Sequence, residues 1–448
     1  MEFYIVFDII TLLISLFFCV KHLKQVTKSA RSIVFLLFFV FYALPLLFDC
    51  AFGLPEYNSQ TRYYGFAISY NDSSTRILYD LFLLFSEFVI TFFYRKNDKK
   101  NSYYFSTKTK SNRFLRIMLF LGMVSPFILT IIMPVNKMTC LVFQWRESGL
   151  FEYNSYSHTI EEFSYIGVCC SLLLLFEKPI SRKKIHLEKI LYLFFLYMSI
   201  CSQGKRSIFF FTLFVALIIF IPGIKNGHKL FGSKKNCFLF TLLLFAAVAL
   251  VMVISSLVVK VQERGYDSSD ISTLYLSTRI DFFRDDRVRM AIYSMLNPDK
   301  INIVPHTGAT IFCIPMWFWP LNHFAGLAGL DYPSYQDYFS TALQNSTQIG
   351  EYASFMTTCF PAELISNFGF WGFAVSPFLM VLFAKASSKS TFPSNVFILV
   401  LFVILQMYTI KYLNMLILFI FVYLLISYLW SKSKVTSKYG ATSITTIR

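Results

Sequence analysis

Apolar runs of near 20 residues recur from one end of the chain to the other, and no other feature limits its fold as much. A helix needs about 20 predominantly apolar residues to cross the ~30 Å hydrocarbon core of a bilayer. In hydrocarbon every backbone N–H and C=O must be satisfied inside its own element, so such runs are expected to be helices. A membrane β-barrel would need period-two alternation, which is absent. The expected spans are 2–20, 32–54, 77–94, 117–134, 160–176, 190–204, 207–222, 237–258, 360–384, 394–410 and 414–430. Of the 448 residues 56% are hydrophobic and 15% charged, against roughly 25% charged in soluble domains. The expected fold is all-α, a polytopic integral membrane bundle of about 11 transmembrane helices.

Basic residues collect in alternate loops. Segments 21–31, 95–116, 177–189, 223–236, 385–393 and the stretch from 431 hold 27 of the 41 Lys and Arg, with only Asp98, Glu177 and Glu188 as acids. Cytoplasmic loops are the ones enriched in Lys and Arg. These segments are therefore expected inside the cell, with the N-terminus outside and the C-terminus inside. The net charge of +16 then reads as topology and not as a nucleic-acid partner. The chain divides into eight helices over 1–258, a large extracytoplasmic loop over 259–359, and three helices with a short tail over 360–448. That loop carries seven of the other 14 basic residues, and long loops follow the charge rule poorly. The first apolar run lacks a basic leader and a small-residue cleavage site, so it is expected to remain as a helix. No period of 20–50 residues suggests a solenoid. Unequal loop lengths in the two halves weaken an inverted-repeat transporter reading. Nine cysteines without CxxC spacing, mostly in or beside apolar runs, read as small hydrophobes.

Several polar residues stand where chemistry is expected. Lys205 and Arg206 sit between two apolar runs, either as snorkelling turn cations or as fixed cations facing a phosphate. Arg279, Arg284, Arg287 and Arg289 alternate with Asp281, Asp285 and Asp286 in a helical pattern. Asp281 precedes Arg284 by three residues and Asp285 precedes Arg289 by four, spacings that make ion pairs on a solvated helix. Arg279 has no such partner in the preceding turn and is the strongest candidate for a functional cation. Glu363 follows Pro361 at the start of an apolar run. It fits ordinary helix-start chemistry, or a partly desolvated carboxylate suited to proton abstraction. Asp49, Asp80, Glu87, Glu161 and Glu162 lie in or at the ends of apolar runs, where acids are costly. They are expected to neutralise the cations from below. His306 and His323 flank Trp317 and Trp319, which serve as interfacial anchors or as a platform for sugar rings. No HExxH or paired His/Cys spacing supports a metal site, and no Walker A, GxGxxG, GxSxG or DxD-like run is present.

Together these residues carry a resemblance. The chain resembles the O-antigen and enterobacterial-common-antigen repeat-unit polymerases of the Wzy type. The likeness lies in Gln203-Gly204-Lys205-Arg206-Ser207, Leu276-Ser277-Thr278-Arg279-Ile280-Asp281, Ile314-Pro315-Met316-Trp317-Phe318-Trp319-Pro320 and Pro361-Ala362-Glu363 through Asn367 and Gly369 to Gly372. It covers about 170 residues. It implies a GT-C-like glycosyltransferase of the bacterial inner membrane, with no metal and no cofactor. Such an enzyme transfers a growing glycan from undecaprenyl diphosphate to the next lipid-linked repeat unit at the periplasmic face, alongside a separate chain-length regulator. On that reading Arg206 and Arg279 bind the donor diphosphate and Glu363 is the base, with His323 as the other candidate. Lys205, Arg284, Arg287, Trp317, Trp319 and Asn367 complete the substrate-binding set. The alternatives are a ligase moving glycan onto lipid A core, and, in another class, a flippase or secondary transporter.

Overall fold

A computed structural model describes residues 3–26, 29–57, 63–93, 113–132, 155–177, 187–201, 206–225, 279–280, 283–318, 321–330, 332–345, 357–407 and 413–444. Among these the structure is helical throughout, without strands. In order come α1 (Phe3–Leu23), α2 (Ala30–Phe38), a π-turn (Phe39–Ala43), α3 (Leu44–Phe52), α4 (Tyr64–Asn71), α5 (Ser73–Phe92), α6 (Arg113–Ile132), α7 (Ser155–Glu177), α8 (Leu187–Cys201) and α9 (Arg206–Lys225). After them come α10 (Asp285–Leu296), α11 (Ala309–Phe312), a 3-10 turn (Ile314–Trp317), α12 (Leu321–Leu327), α13 (Tyr335–Leu343), α14 (Phe360–Phe368), α15 (Phe370–Lys389), α16 (Ser394–Met407) and α17 (Asn414–Ile444).

Five helical stretches among the described residues are long and apolar enough to cross a membrane: Ile5–Leu23, Ala30–Ala51, Arg113–Ile132, Thr159–Glu177 and Phe370–Lys389. Ser207–Ile219, Ser394–Met407 and Asn414–Trp430 are shorter apolar helices. The expected span 237–258 lies outside the described residues. The chain is thus a helical protein with several membrane-length helices.

Two departures from regular helix shape the core. In the first, Pro45 cannot donate to the carbonyl of Phe41, and the helix widens into the π-turn just before it. The backbone N–H of Arg284 takes that carbonyl at 3.0 Å, and the Tyr79 hydroxyl donates to the neighbouring Tyr42 carbonyl at 2.8 Å. The local break thereby becomes a long-range joint. In the second, the expected span 360–384 is divided. Gly369 adopts φ 57°, ψ −130°, a conformation open essentially to glycine alone, and separates α14 from α15. Three residues on, Gly372 lies against the backbone of Leu364 so closely that a Cβ would collide with its carbonyl.

The described part of 259–359 packs into the bundle: α10 lies among α4, α5 and α14, and every residue from Asp285 to Ser294 is buried. Asp285 and Arg289, four residues apart, approach to 3.9 Å in the interior, and Asp281 lies outside the described residues. α15 packs on α2 and α5, while α6, α7 and α8 form a neighbouring group.

Gly372→Ala is expected to lower the unfolding temperature of the detergent-purified protein, since α14 and α15 must separate to admit the methyl. The loss should be about 1–3 kcal/mol. A melting curve superimposable on wild type would show that this contact is not tight.

Candidate functional site

The site begins with the N-terminal half of α10, Asp285-Asp286-Arg287-Val288-Arg289, preceded by Arg279 and Arg284. All four arginines are buried. A buried guanidinium with no acceptors is heavily penalised, so each must find partners, and the fold supplies them from distant segments. Arg279 pairs with Asp49 from α3, at 3.1 Å to Oδ2 and more closely to Oδ1, and with Asp285. It also donates to the Tyr70 hydroxyl of α4 at 2.6 Å. Tyr70 in turn donates to Asp285 Oδ2 at 2.5 Å. Burial works against the charge on Arg279, but Asp285, the Tyr70 hydroxyl and Asp49 outweigh it and hold the group above its ordinary value. Its partners come from distant segments and from Asp285, six residues on, and not from the preceding turn. Arg279 is a clamp between α3, α4 and α10.

Arg287 pairs with Asp286 at 2.5 Å and donates to the carbonyls of Ile280 at 2.6 Å, Thr357 at 3.0 Å and Phe283 at 3.3 Å. Burial pushes the Asp286 carboxyl up, and Arg287 pulls it part of the way back. Tyr57 closes that side, its hydroxyl 3.2 Å from Asp286. Arg284 donates to the carbonyls of Phe283 at 2.7 Å and Met407 at 3.4 Å, tying the cluster to the end of α16. Arg289 differs from the other three. Its nearest acid contact is Asp285 at 3.9 Å, and it lies over the rings of Tyr79 (4.1 Å) and Tyr70 (4.9 Å). Its Nε and Nη1 have no hydrogen-bond acceptor among the described residues.

A second centre sits on α14, which packs against α10. Glu363 lies in the first turn of α14, where the positive helix end favours an acid. Its Oε1 accepts from the Thr310 hydroxyl at 2.8 Å. Asn367, one turn on, donates to Thr310 Oγ1 and to the Glu363 carbonyl, both at 2.8 Å, and its Oδ1 accepts from Thr310 N at 3.3 Å. α14 has nine residues, too short to cross a bilayer. Burial pushes the Glu363 carboxyl up to about 7, against the Thr310 hydroxyl, which lowers it. Such a group exchanges a proton near neutrality.

The structure therefore gathers Arg279, Arg284 and Arg287 into one cluster and holds Glu363 and Asn367 in an adjacent one. Trp317 belongs to neither. It is buried, donates to the Tyr332 carbonyl at 3.4 Å, and accepts at its own carbonyl from Asn414 at 2.9 Å. Trp317 is thus enclosed by protein, held by Tyr332 and Asn414. Lys205 and Trp319 lie outside the described residues, as do the side chains of Arg206 and His323. Asp49 fulfils the neutralising role expected of the intramembrane acids. Two residues escaped the sequence reading. Arg289 appeared there only as a member of an ion-paired helix, whereas two of its nitrogens, Nε and Nη1, have no acceptor among the described residues. Thr310 had no signal at all, being one of many threonines. No group of three or more His, Cys, Asp or Glu among the described residues could hold a metal ion.

No family model matches the chain, and no curated protein and no solved structure does so either.

Removing one side of a buried pair leaves the other uncompensated, so Asp49→Ala is expected to destabilise the protein by about 3–5 kcal/mol, read as a lower unfolding temperature in detergent. For Glu363 the sign follows from proton counting. From about pH 4.5, the ordinary glutamate value, up to about 7, the folded state holds a proton that the unfolded chain has released. Stability from this group is therefore complete below that window and is lost as pH rises through it. Glu363→Gln should remove this fall, and parallel melting-temperature profiles for the two proteins would contradict the assignment.

Proposed function

We propose that the chain is a repeat-unit polymerase of polyprenyl-linked glycans, of the kind its motifs resemble. On this reading it is a GT-C-like bundle of about 11 crossings in a bacterial inner membrane, N-terminus periplasmic and C-terminus cytoplasmic. Its substrates are undecaprenyl-diphosphate-linked oligosaccharides, and a separate chain-length regulator is its partner. One observation carries the reading: the helix that bears Arg287 and Arg289, with buried Arg279 and Arg284 just ahead of it, packs directly against the helix that bears Glu363. Glycan transfer from a diphosphate carrier needs those two chemistries side by side. Cations must stabilise the charge that grows on the leaving diphosphate. A base near neutrality must take the proton of the attacking hydroxyl.

In the proposed step the acceptor hydroxyl oxygen bonds to the anomeric carbon of the donor. The bond from that carbon to the phosphate oxygen breaks, undecaprenyl diphosphate leaves with the electron pair, and the hydroxyl proton passes to Glu363. Thr310 and Asn367 position the carboxylate. Arg279 is engaged by Asp49 and Asp285, so it holds the site together. Arg289, with Nε and Nη1 open, replaces it as the cation offered to the diphosphate. Arg289 lies against Tyr70 and Tyr79, so these rings must swing aside to admit the ligand. Lys205, Arg206 and His323 remain proposals from the motifs alone.

A second reading, a flippase or secondary transporter, is favoured by the buried Asp80 and Glu87 of α5, since acids in such positions line ion paths. The purified protein separates the two: a polymerase joins lipid-linked repeat units in detergent, and a transporter does not. In cells, Glu363→Gln and Arg289→Gln are each expected to reduce polymerisation by about a hundredfold or more, leaving single-unit polysaccharide on gels. Normal long chains from either variant, at wild-type protein abundance, would remove that residue from the mechanism.

A further inference from the structure

Outside the arginine cluster, the contact between α1 and α5 holds a line of polar side chains that the proposed transfer does not use. Asp8, Thr11, Ser15 and His22 fall on one face of α1, at helical spacing, and all are buried. Asp80 and Glu87 face them from α5, each with no exposed surface. The two helices run in the same direction, because their partners match in order. Arg76, in the first turn of α5, pairs with Asp8. Asp8 also adjoins Asp80, Ser15 adjoins Glu87, and His22 meets Thr91 at 3.1 Å near the other end. From Asp8 to His22 is 14 residues, about 21 Å of helix, within a stretch long and apolar enough to cross a bilayer.

Much of this line is poorly satisfied. Both carboxylate oxygens of Asp80, both of Glu87, and the hydroxyls of Thr11 and Ser15 make no well-formed hydrogen bond among the described residues, although Asp80 lies against Asp8 and Glu87 against Ser15. A packed protein does not bury six such oxygens in a row without cause. A metal cation does not fit, since no metal-holding group of acids exists among the described residues, and Asp80 and Glu87 are two helical turns apart. Carboxyls alternating with hydroxyls, and an imidazole at one end, are instead the components of a proton relay.

We propose that the α1–α5 seam conducts protons between the arginine-cluster end of the bundle and the His22 end. A carboxyl releases its proton to the next oxygen or to an intervening water. That group gives up its own proton onward, so each O–H bond broken is replaced by one made and no net charge stays in the seam. Arg76 and Arg289 face its first acids, and Cys19 lies beside Glu87. His22 contacts Ser32 at 3.0 Å and has Lys21 and Arg31 nearby.

The test uses the full chain reconstituted in liposomes that enclose a pH-reporting dye, with potassium and valinomycin clamping the potential. After an external acid pulse, the interior should acidify several-fold faster than in protein-free vesicles. Glu87→Gln and Asp80→Asn, which keep shape and burial, should return the rate to the protein-free value. Ser15→Ala, which removes one hydroxyl, should slow it. Wild-type vesicles no faster than empty ones would overturn the proposal, and so would a Glu87→Gln rate equal to wild type. Assaying glycan joining on the same preparations shows whether failure here touches the transfer reading.

Discussion

The pairing of Arg279 with Asp49 and Asp285 is the interaction on which the rest of this structure depends. A charge inside an apolar bundle is tolerated only where opposite charge and hydrogen-bond acceptors are already in place. That requirement brings together positions 49, 70, 279 and 285, which sequence keeps more than 200 residues apart at the extremes. The Phe41 carbonyl freed by Pro45 is met by the backbone of Arg284, so the main chain reinforces what the side chains begin. Once these joints exist, α10 is fixed among α4, α5 and α14, and Glu363 comes to lie beside the arginines.

The helices were legible because hydrophobic length is a local property. Phe3–Leu23, Arg113–Ile132 and the Asn414–Trp430 part of α17 follow directly from their apolar runs. The break at Gly369 was not legible, because the run from 360 to 384 stays mostly apolar on both sides of it, and the contact of Gly372 with Leu364 shows why the chain turns. The arginine–aspartate helix is legible as a helix, but its depth is not. Its i, i+4 spacing is the same on a surface as in a core, and what decides is the arrival of Asp49, Tyr57 and Tyr70 from elsewhere. Asp49 was expected to neutralise a cation, but which one is a tertiary fact. Glu363 was legible from Pro361 and the helix start, whereas Thr310, its hydrogen-bond donor, carries no distinguishing pattern.

Two kinds of buried polarity coexist here, and the contrast is informative. Around Arg279 and Arg287 nearly every donor is matched, which makes a rigid framework. At Arg289, Asp80 and Glu87 the matching stops. Unmatched groups at that depth are costly and mark places where a ligand, water or proton completes the arrangement. Arg289 stands where the two regions meet, with Asp285 on one side and Asp80 on the other.

On the proposed reading this arginine cluster grips a polyprenyl diphosphate. Its most direct test is binding of undecaprenyl diphosphate to the purified protein in lipid nanodiscs, with inorganic pyrophosphate as competitor. Saturable binding that pyrophosphate displaces, and that Arg289→Gln weakens at least tenfold without changing the unfolding temperature, is the predicted result. Equal affinity in wild type and Arg289→Gln would contradict it.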